Sequence, residues 1–309
     1  MKNKTLIFCV SHNCSPITRV MLKSFYKHHP KKQIFIVGTQ QDFTELEEEG
    51  SHRNAIRVDI SGNAEVLAKF KIGHGGTTQV FAMVLSRMIG MGHDSFIHID
   101  SDVYFKRESV SLIEDAFEEG YDIVGSRRCY KNNPSGVKGL DNFPDSISTY
   151  FFGMKLEKIP TYPFDKLCRY CEGAEHPLGW LVLDAFDGVV HGTMNNGGKV
   201  KYIDWNIIGS QDINGKKNNN YETNMHMDCG SHLIHMGGVG SGYAYFNKRS
   251  NPQESYAKWA VGRWSLFSKL FYQNDIGHTE STVYGSDGRW INGNYDENIM
   301  NNLLIDMEN

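Results

Sequence analysis

Two aspartates, Asp100 and Asp102, stand one residue apart at the end of the apolar run Phe96–Ile99, with Val103, Tyr104 and Phe105 following. The run reads as a buried strand. On a continuing strand, positions i and i+2 point to the same face, so both carboxylates are expected to look the same way. Two like charges held that close repel unless something positive lies between them. A hard divalent cation with oxygen ligands, Mn²⁺ or Mg²⁺, answers that need. Such a cation can also bridge two phosphate oxygens of a diphosphate and neutralise it as a leaving group. A solvated pair, or one that merely caps a turn, would do none of this.

An octahedral site rarely closes on one strand end, so a third ligand is expected from far along the chain. The segment His232-Leu-Ile-His-Met-Gly-Gly-Val-Gly-Ser-Gly242 is the best source. His235 follows an apolar pair and precedes a glycine-rich loop, and His232 is its competitor. Gly237, Gly238 and Gly240 would let that loop wrap a diphosphate. Lys248 and Arg249 would add positive charge beside it. A second glycine cluster, Gly73-His74-Gly75-Gly76, precedes a helix, where backbone N–H groups can approach an anion. A tight connection without a ligand explains that cluster equally well. Cys168 and Cys171, with His176 nearby, have partial zinc-ligand spacing, but no fourth ligand is evident and they read as ordinary thiols.

These residues need a frame. Thr5–Val10 is a short apolar run of strand length. Ser15 reads as an N-cap, with Pro16 at the first helical position. Ile17, Val20, Met21 and Phe25 follow at helical spacing, and Pro30 stops the helix. Strands are predicted over Gln33–Val37, Ala55–Ile60, Ser95–Ile99 and Tyr121–Gly125. Helices are predicted from Thr77, through Val80, Phe81, Val84, Leu85 and Met88, and from Val110 to Phe117. Such alternation predicts a mostly parallel sheet covered on both faces. Open sheets of this kind place ligands at the carboxyl ends of their strands, where the acid pair stands.

The second half is less regular. Thr149–Met154 and Lys199–Ile203 read as strands. Leu178–Val190 and part of Ser250–Tyr272 read as helices. Ile207–Asn224, rich in Asn, Gly and Lys, reads as a long loop and a candidate lid.

The run Phe96-Ile-His-Ile-Asp-Ser-Asp-Val-Tyr-Phe105 resembles the Asp-x-Asp region of GT-A-fold glycosyltransferases. The opening from Val10 to Ser24 is similar to the first strand and helix of that fold. The resemblance covers roughly residues 5 to 127. It implies an α/β, GT-A-like (Rossmann-like) sheet, a nucleotide-sugar donor with UDP favoured over GDP, Mn²⁺ or Mg²⁺, and transfer to a hydroxyl acceptor. It makes Asp102 the direct metal ligand, Asp100 a ligand to the metal or the ribose, and His235 the residue completing the site. It also implies a nucleotide-contacting loop after the first strand, here Ser11, His12 and Asn13. Gly38, Asp59, Gly75, Gly76, Ser101, Gly237, Gly238 and Lys248 complete the expected donor-side set. A general base, if the reaction inverts, would be a carboxylate of the second half: Glu172, Glu175, Asp184 or Asp187. Asp184 is notable for lying in an apolar helical stretch. Tyr162, Trp180, Tyr202 and Trp205 could stack on a sugar ring or sit in the core.

On this reading residues 1–272 form the catalytic domain, with 1–127 binding the nucleotide and 128–272 the acceptor, and 273–309 are an extension. The chain has 309 residues and a formal net charge of −4, which argues against a nucleic-acid partner. Six cysteines are too sparse for a disulfide scaffold, so a reducing, cytoplasmic setting is expected. The apolar run Leu6–Val10 is too short for a signal peptide, and no stretch approaches a membrane span. Homo-oligomerisation is compatible with the sequence but not indicated by it. Rival readings are a haloacid-dehalogenase-type phosphohydrolase using Asp100 and Asp102, a nucleotidyltransferase, and a catalytically silent nucleotide- or carbohydrate-binding module. The first normally carries its acids on the first strand, whereas about 95 residues of α/β pattern precede them here.

Overall fold

The computed structural model describes residues 4–47, 55–64, 67, 80, 81, 83, 84, 86, 87, 90–128, 146–159, 187–203, 226–229, 232–235, 237, 239, 240, 243, 264, 282–284 and 290–292. In chain order the elements are β1 (Thr5–Val10), α1 (Ser15–His28), β2 (Phe35–Gly38), α2 (Gln40–Glu47), β3 (Ile56–Asp59), β4 (Ser95–Ile99), β5 (Val103–Phe105) and α3 (Val110–Glu118). They continue with β6 (Ile123–Arg128), β7 (Ser146–Lys155), α4 (Asp187–Asn195), β8 (Val200–Ile203), β9 (His226–Cys229), β10 (Leu233–His235), β11 (Thr282–Tyr284) and β12 (Trp290–Asn292).

Seven strands form one sheet in the order β3-β2-β1-β4-β7-β6-β8. Every neighbouring pair is parallel except those made by β7, which runs antiparallel to β4 and to β6. This is the mostly parallel, helix-flanked α/β architecture that the GT-A resemblance implied. A second sheet, β5-β10-β9, is small and antiparallel.

The central strands are apolar on both faces, as strands buried between helical layers must be. Ile7 and Cys9 of β1, with Ile97 and Ile99 of β4, pack with Met21, Leu22 and Phe25 of α1 and Ile113 and Phe117 of α3. Leu6, Phe8 and Phe96 face the other way, into a core with Val80, Phe81, Val84, Val189 and Val190. Burying each such side chain contributes about 1.5–3 kcal/mol.

Two local readings need correction. Ser15 is not the N-cap of α1. Cys14 holds that position, and Ser15, already helical, turns its hydroxyl to the backbone oxygen of Asp42 at 3.2 Å. Helix α2 was not expected at all. Its eight residues, Gln40–Glu47, bury only Asp42, Phe43 and Leu46, so the apolar period is too short to read. Of the two second-half helices, the structure gives Asp187–Asn195. Residues 178–186, the candidate lid and nearly all of 250–272 lie outside the described residues. No helix among the described residues is long and apolar enough to cross a membrane.

Candidate metal and donor site

Strand β4 ends at Ile99, so Asp100 and Asp102 do not share a strand face as expected. They are brought together by a turn. The N–H of Val103 bonds the carbonyl of Asp100 at 3.3 Å, folding Asp100-Ser101-Asp102 back on itself. The chain then enters β5, which pairs antiparallel with β10 and sets His235 opposite Val103. That pairing delivers the imidazole to the carboxylates. His235 Nε2 lies 3.4 Å from Asp102 Oδ1 and 3.8 Å from Asp100 Oδ2. One ligand atom from each of the three residues falls within 4.8 Å of the others. The Asp102 and His235 side chains are only 10% and 11% exposed, while Asp100 is 37% exposed, so the cluster opens to solvent on the Asp100 side.

The donor set suits a divalent cation. Octahedral coordination at 2.0–2.1 Å places neighbouring ligand atoms about 3 Å apart and opposite ones about 4 Å apart. The two measured N···O separations, 3.4 and 3.8 Å, lie in that interval. Two carboxylates and one imidazole could hold such an ion, Mn²⁺ or Mg²⁺ among them.

His98, on β4 two residues before Asp100, is buried against Phe8, Phe81 and Phe152. Burial holds its pKa down at about 3, so the ring is neutral at ordinary pH. Its Nδ1–H donates to the Thr149 carbonyl at 2.8 Å, and Nε2 lies 3.6 Å from Asp100 Oδ1. His98 therefore lies beneath the acid turn as a neutral, buried ring whose one N–H is spent on Thr149. Sequence reasoning passed over it because a histidine inside an apolar strand reads as core.

The loop after β1 reaches the same place. Cys14 Sγ donates to Ser101 Oγ at 3.5 Å, joining the loop to the acid turn. A methyl on Gly240 would stand 3.6 Å from Cys14 Cβ and 3.8 Å from Ser101 Oγ. Three distant segments, around residues 11–14, 100–102 and 235–240, thus converge. Asp42 of α2 shapes the first of them. Its carboxylate accepts the N–H of Asn13 at 2.8 Å, and the N–H and hydroxyl of Thr39 at 2.9 and 2.7 Å. Asn13 adopts φ 56°, a left-handed conformation that asparagine tolerates. His12 Nδ1 lies 3.6 Å from Asp42 Oδ2. Burial pushes the Asp42 carboxyl up, but hydrogen bonds from His12 and Thr39 outweigh it and hold the group below its usual range.

Ser11 is buried, with its hydroxyl 2.6 Å from that of Thr18, so its side chain braces the loop. Gly38 lies beside it. A Cβ there would stand 2.6 Å from the Ser11 carbonyl oxygen, so glycine permits the two strand ends to close. Asp59 pairs with Gly38 across β2 and β3 and is exposed, its carboxylate accepting the N–H of Ser61 at 2.8 Å. Gly237 presses on His235: an added Cβ would lie 3.0 Å from the ring's Cε1. His232 stands apart from the acids, its Nδ1 3.3 Å from the Glu108 carbonyl oxygen. Asp187 opens α4. Tyr202, on β8, lies under the Arg127 guanidinium at 4.5 Å. Gly75, Gly76, Glu172, Glu175, Asp184, Gly238, Lys248, Arg249, Tyr162, Trp180, Trp205 and the Cys168–Cys171 pair lie outside the described residues.

No family model matches the chain, and no curated protein matches it. Among solved structures it is similar to the galactosyltransferase LgtC in complex with donor and acceptor sugar analogs. That match has 18% identity and a TM-score of 0.45, over 63% of this chain and 72% of that one. It is also similar to mouse xyloside xylosyltransferase 1 in its apo form. There the identity is 12% and the TM-score 0.44, over 65% and 85% of the two chains.

Proposed function

We propose that this chain is a divalent-metal-dependent glycosyltransferase that moves a sugar from a nucleotide-diphosphate sugar to a hydroxyl of a glycan, lipid or protein-linked sugar. The convergence of Asp100, Asp102 and His235 beside the β1–α1 loop carries the reading. Asp102 and His235, the less exposed pair, would hold Mn²⁺ or Mg²⁺, with Asp100 at the open side. A bound cation would supply electrostatic stabilisation of the departing diphosphate. The loop from Ser11 to Cys14, held in shape by Asp42, would contact the nucleotide. Residues 1–127 would thus serve the donor and 128–272 the acceptor. Asp184, Asp187 and Glu175 stay as candidates for a base that deprotonates the acceptor hydroxyl.

A thermal-shift screen of UDP- and GDP-sugars, with and without Mn²⁺, tests this. Specific ligands raise the melting temperature with affinity and concentration. The expected result is a rise that requires Mn²⁺ and nucleotide sugar together, followed by sugar transfer or slow donor hydrolysis. The absence of any metal-dependent shift across the panel would overturn it. Phosphoester hydrolysis without donor turnover would give the acid pair to a phosphohydrolase instead.

A further inference from the structure

The acids and the histidine come from elements that share no strand, yet one residue touches both sets. Tyr150, on β7, is 7% exposed. Its ring lies against the His235 imidazole, with centroids 4.3 Å apart and planes inclined by only 17°. Its carbonyl accepts the N–H of Asp100 at 2.8 Å. Its phenol donates to Ser126 Oγ at 2.6 Å, and Ser126 is buried on β6.

A near-parallel stack limits rotation of the imidazole about its Cβ–Cγ bond, because turning the ring edge-on would drive it into the aromatic face. The phenol–Ser126 bond fixes the tyrosine in turn, by tying it to the neighbouring strand. The backbone bond to Asp100 sets the acid turn relative to the same residue. We infer that Tyr150 is a positioning residue: it aims His235 Nε2 at the carboxylates and so gives the site its preference for Mn²⁺ over Mg²⁺. The preference follows from ligand chemistry, since a nitrogen donor favours Mn²⁺ while Mg²⁺ is satisfied by oxygens and water. The inference rests on the metal reading of this site.

Mn²⁺ binding to the whole chain, followed by electron paramagnetic resonance with Mg²⁺ as competitor, tests it. The expected outcome for Tyr150→Leu is an Mn²⁺ affinity lowered about tenfold with Mg²⁺ affinity nearly constant, the size typical of losing a group that orients a metal ligand. Its Mn²⁺/Mg²⁺ ratio then approaches that of His235→Ala, whereas Tyr150→Phe, which keeps the stack and loses only the bond to Ser126, falls about two- to threefold. General loosening of the fold would weaken both ions alike. An unaltered ratio in folded Tyr150→Leu, in a wild type that binds Mn²⁺, overturns the inference and spares the metal site. A wild type that binds neither ion removes the metal reading, and the inference with it. Should Tyr150→Leu not fold, Ser126→Ala decides: a fall in the ratio of about two- to threefold supports the role, and no change overturns it.

Discussion

The buried imidazole of His29 accepts the backbone N–H of Ser109 at 2.9 Å and that of Val110 at 3.3 Å, while its Nδ1–H donates to the Phe25 carbonyl at 2.9 Å. One side chain at the end of α1 therefore caps the start of α3. Five residues before His29, Ser24 Oγ accepts the N–H of Phe105, the last residue of β5. Helix α1 thus grips both ends of the segment that follows the acid turn, and β5 is the strand that carries His235 by pairing.

This cap makes stability depend on pH. Burial holds the His29 pKa below its ordinary value of 6.5, so the folded state keeps the ring neutral. Above about pH 6.5 the folded and unfolded chains are alike at this residue, and stability is full. As pH falls below that point the unfolded chain takes up the proton first, and stability drops until the folded value is reached. The expected slope is about 1.4 kcal/mol per pH unit in that window. His29→Leu keeps bulk but removes the acceptor, at a cost of about 1–2 kcal/mol at pH 7.5. Melting curves of the two proteins from pH 7.5 to 5 should converge on acidification; parallel curves would count against a neutral cap.

Asp42→Ala should loosen the loop from Ser11 to Cys14. It removes the acceptor of three N–H and O–H donors on Asn13 and Thr39. Leaving such groups without their partner costs about 1–3 kcal/mol. The carboxyl's pKa is lowered in the folded state, so its contribution is present above the ordinary carboxylate pKa and is lost as pH falls through the folded value. Urea unfolding at pH 7 should separate variant from wild type. The separation should shrink in strong acid, and nucleotide-sugar binding should weaken with the loop.

Gly237→Ala places a methyl 3.0 Å from His235 Cε1, so the ring must give way. Gly240→Ala makes only ordinary contacts at 3.6 and 3.8 Å. Calorimetric Mn²⁺ titration should find the first variant weakened about tenfold and the second close to wild type. Equal affinities in both would show that the imidazole edge is not a ligand.

Asp102→Asn should preserve the fold, because the change is isosteric and the residue belongs to a turn. It should lower sugar transfer by about a hundredfold or more, the scale of removing electrostatic stabilisation from a leaving group. Initial rates under saturating donor and Mn²⁺ measure this. Turnover within twofold of wild type would take Asp102 out of the reaction.

Much of the frame was legible because its signals are local and strong. Ser95–Ile99 is a strand with the expected limits, and Val110–Glu118 is a helix as its spacing required. Helix α2 was not legible, since its eight residues bury too few apolar side chains to make a period. Tyr150 and His98 were missed for another reason. Each looks like core in its own strand, and its role lies in a neighbour 85 residues or more away, or in an acid turn that the strand pattern does not describe.

The linear order of residues determined the alternating elements, the apolar faces of β1 and β4, and an acid pair placed where an apolar strand stops. Those follow from short-range periodicity and from burial, which act on neighbours in the chain. Only the folded chain decided that the aspartates meet through a turn, that His235 and not His232 reaches them, and that Tyr150 lies on the imidazole. The antiparallel pairing of β5 with β10 crosses more than a hundred positions, and its register chooses between two histidines three residues apart. Such a choice depends on side-chain packing between distant strands, which no local pattern encodes.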